Sequence, residues 1–555
     1  MATTGWLRRV APERGTLRKD VVAGLPGAIS GVPDGMAASV LAGVNPVHGL
    51  YASIAGPVGG GLTSSTRLMV ITTTSAAALA AGSALASVPD EDRPRAMFLL
   101  TVLAGALMIV AGIAKLGRYT RFVPHSVMIG FLSGVAANIV FGQLPHLVGA
   151  DTSGPFALAK AWDLILNPDR VQPAAALAGI SALAILVVLR RTRVAAYSTL
   201  IALILPSLAV AVLAAGGAPR VRDIGEIPSG LPMPVLPRLE DFSFSLLTGA
   251  FAVAAVVLVQ GAGVSESAPN PDRSRSDANR DFVAQGVGNV LAGLFRGQPV
   301  GGSVGRTALN LSAGAAGRWA AIFSGLWMAL ILLLFSGLVG AVVMSTLAAV
   351  LIFAAVGSLR PGAARAILRT GRISQIAMIS TFVATLFLPV AAAVGLGLVL
   401  SLLMQLNQEA IDLRVVELVP HRGGFLERPA APRLESGRVV LLDVYGSLFY
   451  AGARTLQSRL PDPAGADRPA VVLRLRGRVM LGATAFAVLA DYAERLADGG
   501  GRLYLSGVDP AVVRQVERNR TLVRMDGVRI FEASEVVGES SLEAYHEARH
   551  WLAET

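Results

Sequence analysis

The stretch Gln298 to Asn310, QPVGGSVGRTALN, sets a proline, three glycines and an arginine in the middle of an apolar half of the chain. A segment that breaks its own helix inside a bilayer leaves backbone groups unpaired, which is tolerated only where protein or a water-filled cavity satisfies them. From Ser303 a short helix can begin, and the N–H groups at its start carry partial positive charge that suits an anion. Arg306 adds a full charge that a bilayer rejects unless it faces a cavity, a partner or a substrate. Asp34 lies within VVAGLPGAISGVPDGMAASVLAGVN, residues 21 to 45. It either caps a broken helix facing internal water or serves as a protonatable or cation-binding group beside a substrate. Thr72, Thr73, Thr74 and Ser75 follow a lone Arg67 in TSSTRLMVITTTSAAALAAG, residues 63 to 82. Their hydroxyls and N–H groups can face an anion, or the hydroxyls can bond back to their own backbone.

The elements that must position these groups are membrane spans. Of the 555 residues, 53% are hydrophobic and 15% charged, with a mean hydropathy of +0.59, too apolar for a soluble domain. The absence of cysteine excludes a disulfide framework, a thiol nucleophile and cysteine-ligated zinc. The dipeptide Gly-Lys never occurs, so there is no phosphate loop and ATP-driven pumping is not expected. His546 and His550 read as solvated surface of a terminal helix. No enzymatic constellation stands out, and neither cofactor nor metal is expected.

The net charge of +11 is distributed in short loops rather than in a nucleic-acid patch. Arg8, Arg9, Arg14, Arg18 and Lys19 form one cluster; Lys115, Arg118 and Arg121 another; Arg190, Arg191 and Arg193 a third; Arg360, Arg365, Arg369 and Arg372 a fourth. The loops near 87–95 and 216–243 mix both signs. This positive-inside pattern places the N-terminus in the cytoplasm, fourteen spans return the C-terminus there, and membrane lipid is an expected partner. Residues 1–20, read as a cytoplasmic N-terminus, lack the apolar core and cleavage site of a signal peptide.

Seven apolar runs fill residues 21–215 and seven more fill 244–408, giving a 21–408 transport domain. The third run of each set is short, hydroxyl-rich and marked by an arginine. Corresponding interrupted spans in two halves point to an inverted-repeat secondary transporter with a midplane substrate site. The composition then becomes charged and proline-containing across a linker, 409–437. From Arg438 to Thr555 it reads as soluble α/β: strands in RVVLLDVYGSLFYAG, AVVLRLRG and RLYLSGV, and helices over Thr484–Ala497 and Ser541–Ala553.

The chain resembles the SulP family, the sulfate-permease-type anion transporters. The resemblance rests on Asp20, Ala23-Gly24, Pro33, Met36-Ala37, Ala42-Gly43 and Gly49-Leu50-Tyr51 in the opening helices. Further on it rests on Lys115-Leu116-Gly117, Gly130 to Gly134, Gln143-Leu144, Gln285-Gly286, Asn289, Arg306 and Asn310. It implies an all-α membrane domain of seven plus seven inverted spans, with core and gate parts and a cytoplasmic α/β STAS domain. An anion would be held between the starts of the third and tenth helices, at Thr72, Thr73, Thr74, Gly305 and Arg306, near Asp34. Elevator movement in a homodimer of the inner membrane is the implied mechanism. The chain departs from the family pattern at Asp34 and Ala38, at Thr72-Thr73 in place of Gly-Pro, and at Gly305 in place of serine. Gln260 stands in place of an eighth-helix glutamate. Leu481 to Thr484, LGAT, offers no phosphorylatable serine in the tail. Proton-coupled uptake through Asp34 is the leading expectation, with sulfate, bicarbonate, chloride, nitrate and dicarboxylates as candidate anions. An exchanger, a channel and an occupancy sensor are the alternatives.

Overall fold

The computed structural model describes residues 15–554 except 123, 155, 193, 195–196, 214–217, 225–229, 389, 422–423, 520–521 and 523–524. Arg8, Arg9, Arg14 and Arg193 of the basic clusters, and parts of the 216–243 loop, lie outside the described residues. The chain divides into two compact units, Met1–Ser401 and Leu402–Thr555.

The first unit opens with helices α1 (Leu17–Leu41) and α2 (Val47–Thr63), then a strand β1 (Ile71–Thr73) feeding a ten-residue helix α3 (Ser75–Ala84). Helices α4 (Arg93–Ile113), α5 (His125–Leu147), α6 (Ala157–Leu166), α7 (Pro173–Leu189) and α8 (Ser198–Val212) complete the first half. The same order of elements recurs: α9 (Phe244–Ser267), α10 (Ala278–Leu294), strand β2 (Val300–Gly302), α11 (Val304–Ser312), α12 (Trp319–Gly340), α13 (Met344–Ser358), α14 (Pro361–Leu368), α15 (Arg372–Phe387) and α16 (Val390–Ile411).

Three expectations change. The first helix, read as interrupted near Pro33, runs continuously through Pro26 and Pro33. The third run of each half is not one span but a three-residue strand followed by a short helix. Among the described residues four helices are long and apolar enough to cross a membrane by length and composition. The bent pair α13–α14 makes a fifth. The other helices are shortened by breaks or diluted by glycine, proline and charge, so composition gives apolar runs more readily than lengths. The amphipathic α6 and α14 stand outside the expected spans; exposed Trp162, Ile165 and Leu166 give α6 the character of an interfacial helix.

Small residues let these helices meet backbone to backbone. A Cβ on Gly49 of α2 would lie 1.8 Å from the Gly35 carbonyl oxygen of α1, and one on Gly286 of α10 would lie 2.6 Å from the Gly105 carbonyl oxygen of α4. Gly49→Ala therefore forces α1 and α2 apart and lowers the thermal midpoint of the membrane unit. A cost of about 1–3 kcal/mol is expected for such overpacking, and Gly395→Ala, which meets nothing within 4 Å, leaves it unchanged.

The second unit is a six-stranded sheet in the order β4-β3-β5-β6-β7-β8. Strands β5 (Val439–Tyr445), β6 (Ala470–Arg474), β7 (Arg502–Val508) and β8 (Val528–Glu532) run parallel. They are buried by helices α17 (Tyr450–Arg459), α18 (Ala483–Asp498), α19 (Pro510–Asn519) and α20 (Glu539–Ala553), with Leu489 and Leu505 in one core cluster and Tyr504 and Ala544 in another. The linker expected over 409–437 is instead largely sheet: β3 (Arg414–His421) and β4 (Gly424–Pro429) form an antiparallel hairpin joined to β5. Gly446 to Gly452, read as strand material, turns into α17.

Candidate functional site

Strands β1 and β2 pair antiparallel, with Ile71 opposite Gly302 and Thr73 opposite Val300. Each strand ends in a capping residue and then a helix, so α3 and α11 leave opposite ends of one short ladder with their N-termini toward it. The partial positive ends of two helices thus converge over about 7 Å, the rise of two residues. Thr74 accepts from Ala77 N–H at 3.2 Å and Ser303 accepts from Arg306 N–H at 3.4 Å. The first N–H groups of both helices have no partner within their own helix.

Buried amides hold the ladder in place. Asn289 of α10 takes both sides of the Val300 peptide, donating to its carbonyl at 2.7 Å and accepting from its N–H at 2.9 Å. Gln285 accepts from Gly302 N–H at 3.2 Å. Across the site, Val70 N–H donates to Thr307 at 3.1 Å, Ser303 N–H donates to the Val70 carbonyl at 3.0 Å, and Asn310 donates to the Leu68 carbonyl at 3.1 Å. Gly302 is tightly enclosed, since a Cβ there would lie 3.0 Å from Met69 Sδ and 3.2 Å from Gly261 Cα.

Arg306 lies one turn into α11 and reaches α1. Its guanidinium donates to the Gly27 carbonyl and the Ser30 hydroxyl, and its Nε lies 3.2 Å from Asp34 Oδ2. The arginine side chain is 7% exposed and the aspartate 37%, so the pair is buried on the cationic side and open on the anionic side. Arg306 also lines a small cavity with Gly27, Gly31, Ser53, Thr72 and Asn310. Its volume, about 10 Å³, is room for no more than one water.

The five sequence-derived binding residues occupy different positions. Thr72 and Arg306 line the cavity. Thr73 is buried beside Ser53, 3.4 Å away, and Thr74 caps α3 while donating to Gln260 at 3.4 Å. Gly305 is exposed at the start of α11, where a side chain would meet nothing within 4 Å. Arg67 is not a counterpart of Arg306. It precedes β1 and pairs with Asp272 at 2.8 Å in a loop. Hydrogen bonds from the Ser274 hydroxyl and amide, with the Arg67 guanidinium beyond them, hold the Asp272 carboxyl below the usual carboxylate range.

Asp281 is the residue that sequence reasoning missed. Fully buried at the start of α10, it accepts six hydrogen bonds of 2.5–3.0 Å, from the backbone N–H groups of Ser65 and Thr66 and the hydroxyls of Ser64, Ser65, Thr66 and Ser265. It fastens the turn that delivers β1 to the site. Asp281→Ala leaves these donors without an acceptor, and a loss of about 3 kcal/mol is expected. The drop in thermal midpoint checks it, with Asp281→Asn falling between the variant and the parent.

An apolar helical unit in which two broken spans meet end to end in the interior is the architecture of a membrane transporter. The chain belongs to the sulfate permease family of anion transporters: residues 17–397 match that family and residues 431–532 match the STAS domain. It is a multi-pass membrane protein. A relative named probable sulfate transporter Rv1739c, from Mycobacterium tuberculosis, is 30% identical over 420 residues, 74% of either chain. The bicarbonate transporter BicA of Synechocystis is 26% identical over 447 residues, covering 79% of this chain and 78% of that one. The fold matches the solved structure of the murine solute carrier 26 family member A9 anion transporter in the inward-facing state, with a TM-score of 0.82 at 16% identity over 98% of this chain and 93% of that one. It also matches the transmembrane domain of a cyanobacterial BicA, with a TM-score of 0.61 at 21% identity over 70% of this chain and 98% of that one.

Proposed function

We propose that the chain is a secondary active transporter that carries a small inorganic or dicarboxylate anion together with a proton. The Arg306–Asp34 pair, set where the starts of α3 and α11 converge, is the observation that carries this reading. While Asp34 is ionised it occupies Arg306 and repels an incoming anion. A proton on Asp34 frees the guanidinium for the anion, so the two cargoes enter together. Thr72 supplies a hydroxyl at the same cavity, and Thr73, Thr74 and Gly305 lie at the strand end and helix starts that flank it. Alternating access follows an elevator movement of the core part of the seven-plus-seven inverted-repeat domain against its gate part. The working form is a homodimer in the inner membrane with both termini in the cytoplasm. Relatives named for sulfate and for bicarbonate support an oxyanion cargo.

Uptake into proteoliposomes tests the reading. Labelled sulfate, bicarbonate, chloride, nitrate and a dicarboxylate are offered under an inward proton gradient and, separately, a sodium gradient. Accumulation of one anion under the proton gradient is expected. Uptake that never exceeds equilibrium under either gradient would reject symport in favour of exchange or a channel.

A further inference from the structure

A second polar cavity, of about 530 Å³, opens between the ends of α1, α3 and α4 on one side and α5 and α6 on the other. Its lining includes Arg93, His146 and Lys160, and no carboxylate among the described residues. Gln143, a buried amide on α5, lines the same wall, and its side-chain oxygen has no hydrogen-bond partner. Of the three basic groups, Arg93 is already paired with Asp90 at 2.5 Å and donates to the Val88 carbonyl at 3.1 Å. His146 and Lys160 form no ion pair among the described residues. The lining residues are different from those around Arg306, and the volume exceeds that site's many times over.

A cleft of one charge sign with low-dielectric walls concentrates field lines and raises the local concentration of counter-ions. We propose that this cavity is a second anion site, a basic vestibule that gathers small inorganic anions at the ends of α1, α3 and α5. In it Lys160 supplies the attraction, with Arg93 and His146 beside it on the lining. Arg93 reaches the same space from α4 and is paired with Asp90 of the turn before it. The vestibule's place on the transport path rests on the proposed function; its charge and its capacity to hold an anion do not.

The chain contains no cysteine, so one engineered thiol reports on one place. Ser83→Cys puts it on the cavity wall. Gly142→Cys is a second reporter, since a Cβ there meets only Ala157 Cβ at 3.4 Å. Labelling rates of the full-length protein are compared for anionic and cationic methanethiosulfonates of similar size at low salt. The anionic reagent is expected to react roughly ten-fold faster, within the range such clefts produce. The preference should fall to about two-fold or less in the Lys160→Gln/His146→Gln variant. Sulfate should slow anionic labelling more than a bulky organic anion of equal ionic strength.

Equal rates for both reagents, a preference that survives both substitutions, or two unreactive thiols would overturn the vestibule; equal slowing by both salts would overturn the binding. Labelling needs no transport. Preference without uptake leaves the vestibule standing and rejects the transport reading, and uptake without preference does the reverse.

Discussion

Arg306→Gln lowers anion uptake at sub-saturating substrate by about 10–100-fold. This is the loss expected when hydrogen bonds from a charged group, about 1.5–3 kcal/mol, are removed at roughly 1.4 kcal/mol per factor of ten. The argument turns on position. The guanidinium is buried, sits one turn into α11 and lines the cavity that Thr72 shares. Three acceptors already surround it: the Gly27 carbonyl, Ser30 and Asp34. A purely structural role would make Arg306→Gln a stability defect, with the thermal midpoint and uptake falling together and uptake recovering at low temperature. An electrostatic role leaves the residual uptake saturable with a raised KM. Arg306→Lys separates the two further, because a lysine restores the charge without the planar fork that spans Ser30 and Asp34. Partial recovery of KM in the lysine variant is the expected result. A KM identical to the parent's in Arg306→Gln would remove Arg306 from the site.

Much of this site is legible in the sequence, and the missing parts have a common cause. A proline, three glycines and an arginine inside an apolar half identify 298–310 as a broken span without any structure. The hydroxyl run at 72–75 identifies its partner. The ladder between them is not legible, because a three-residue strand such as Val300–Gly302 is too short to show a period, and its pairing with Ile71–Thr73 crosses more than two hundred residues. The same distance hides the Arg306–Asp34 pair. Arg67 misleads because sequence gives the presence of a charge but not the side of a turn on which it falls; four residues before β1 it reaches Asp272 in a loop.

Asp281 reads as an ordinary acid in the first turn of a helix. Only the run Ser64-Ser65-Thr66, with its crowded donors, hints that an acceptor is needed elsewhere in the chain. In the second unit, RLYLSGV gives β7 residue for residue. The β3–β4 hairpin escapes because Pro420 and Pro429 suggest a linker. Proline is tolerated where no ladder bond is needed: Pro429 is in the edge strand β4, and Pro420 lies in β3 beyond residues Arg414–Glu417 that pair with β5.

The Arg306–Asp34 contact also makes a prediction that neither residue makes alone. Asp34→Asn is expected to leave saturable anion uptake in place while abolishing its dependence on pH. In the parent, uptake rises as the medium is acidified, because each proton on Asp34 removes a competing negative charge from Arg306. Asparagine keeps the shape and is permanently neutral, so the variant should carry anion at the same rate across pH 5.5–8, and an imposed proton gradient should no longer drive accumulation above equilibrium. The sign is decisive. If Asp34 served only to hold Arg306 in place, the asparagine variant would lose uptake at every pH in proportion to misplacement of the guanidinium. If the carboxylate bound a cation instead, the variant would lose a sodium dependence and keep its response to protons. The double variant Asp34→Asn/Arg306→Gln completes the cycle. With the arginine gone the charge for which Asp34 competes is gone and only its direct repulsion of the anion remains, so Asp34→Asn should raise uptake less in Arg306→Gln than in the parent. That is the non-additivity expected of residues in direct contact. Independent, multiplying effects of the two substitutions would show that proton and anion meet somewhere other than this pair.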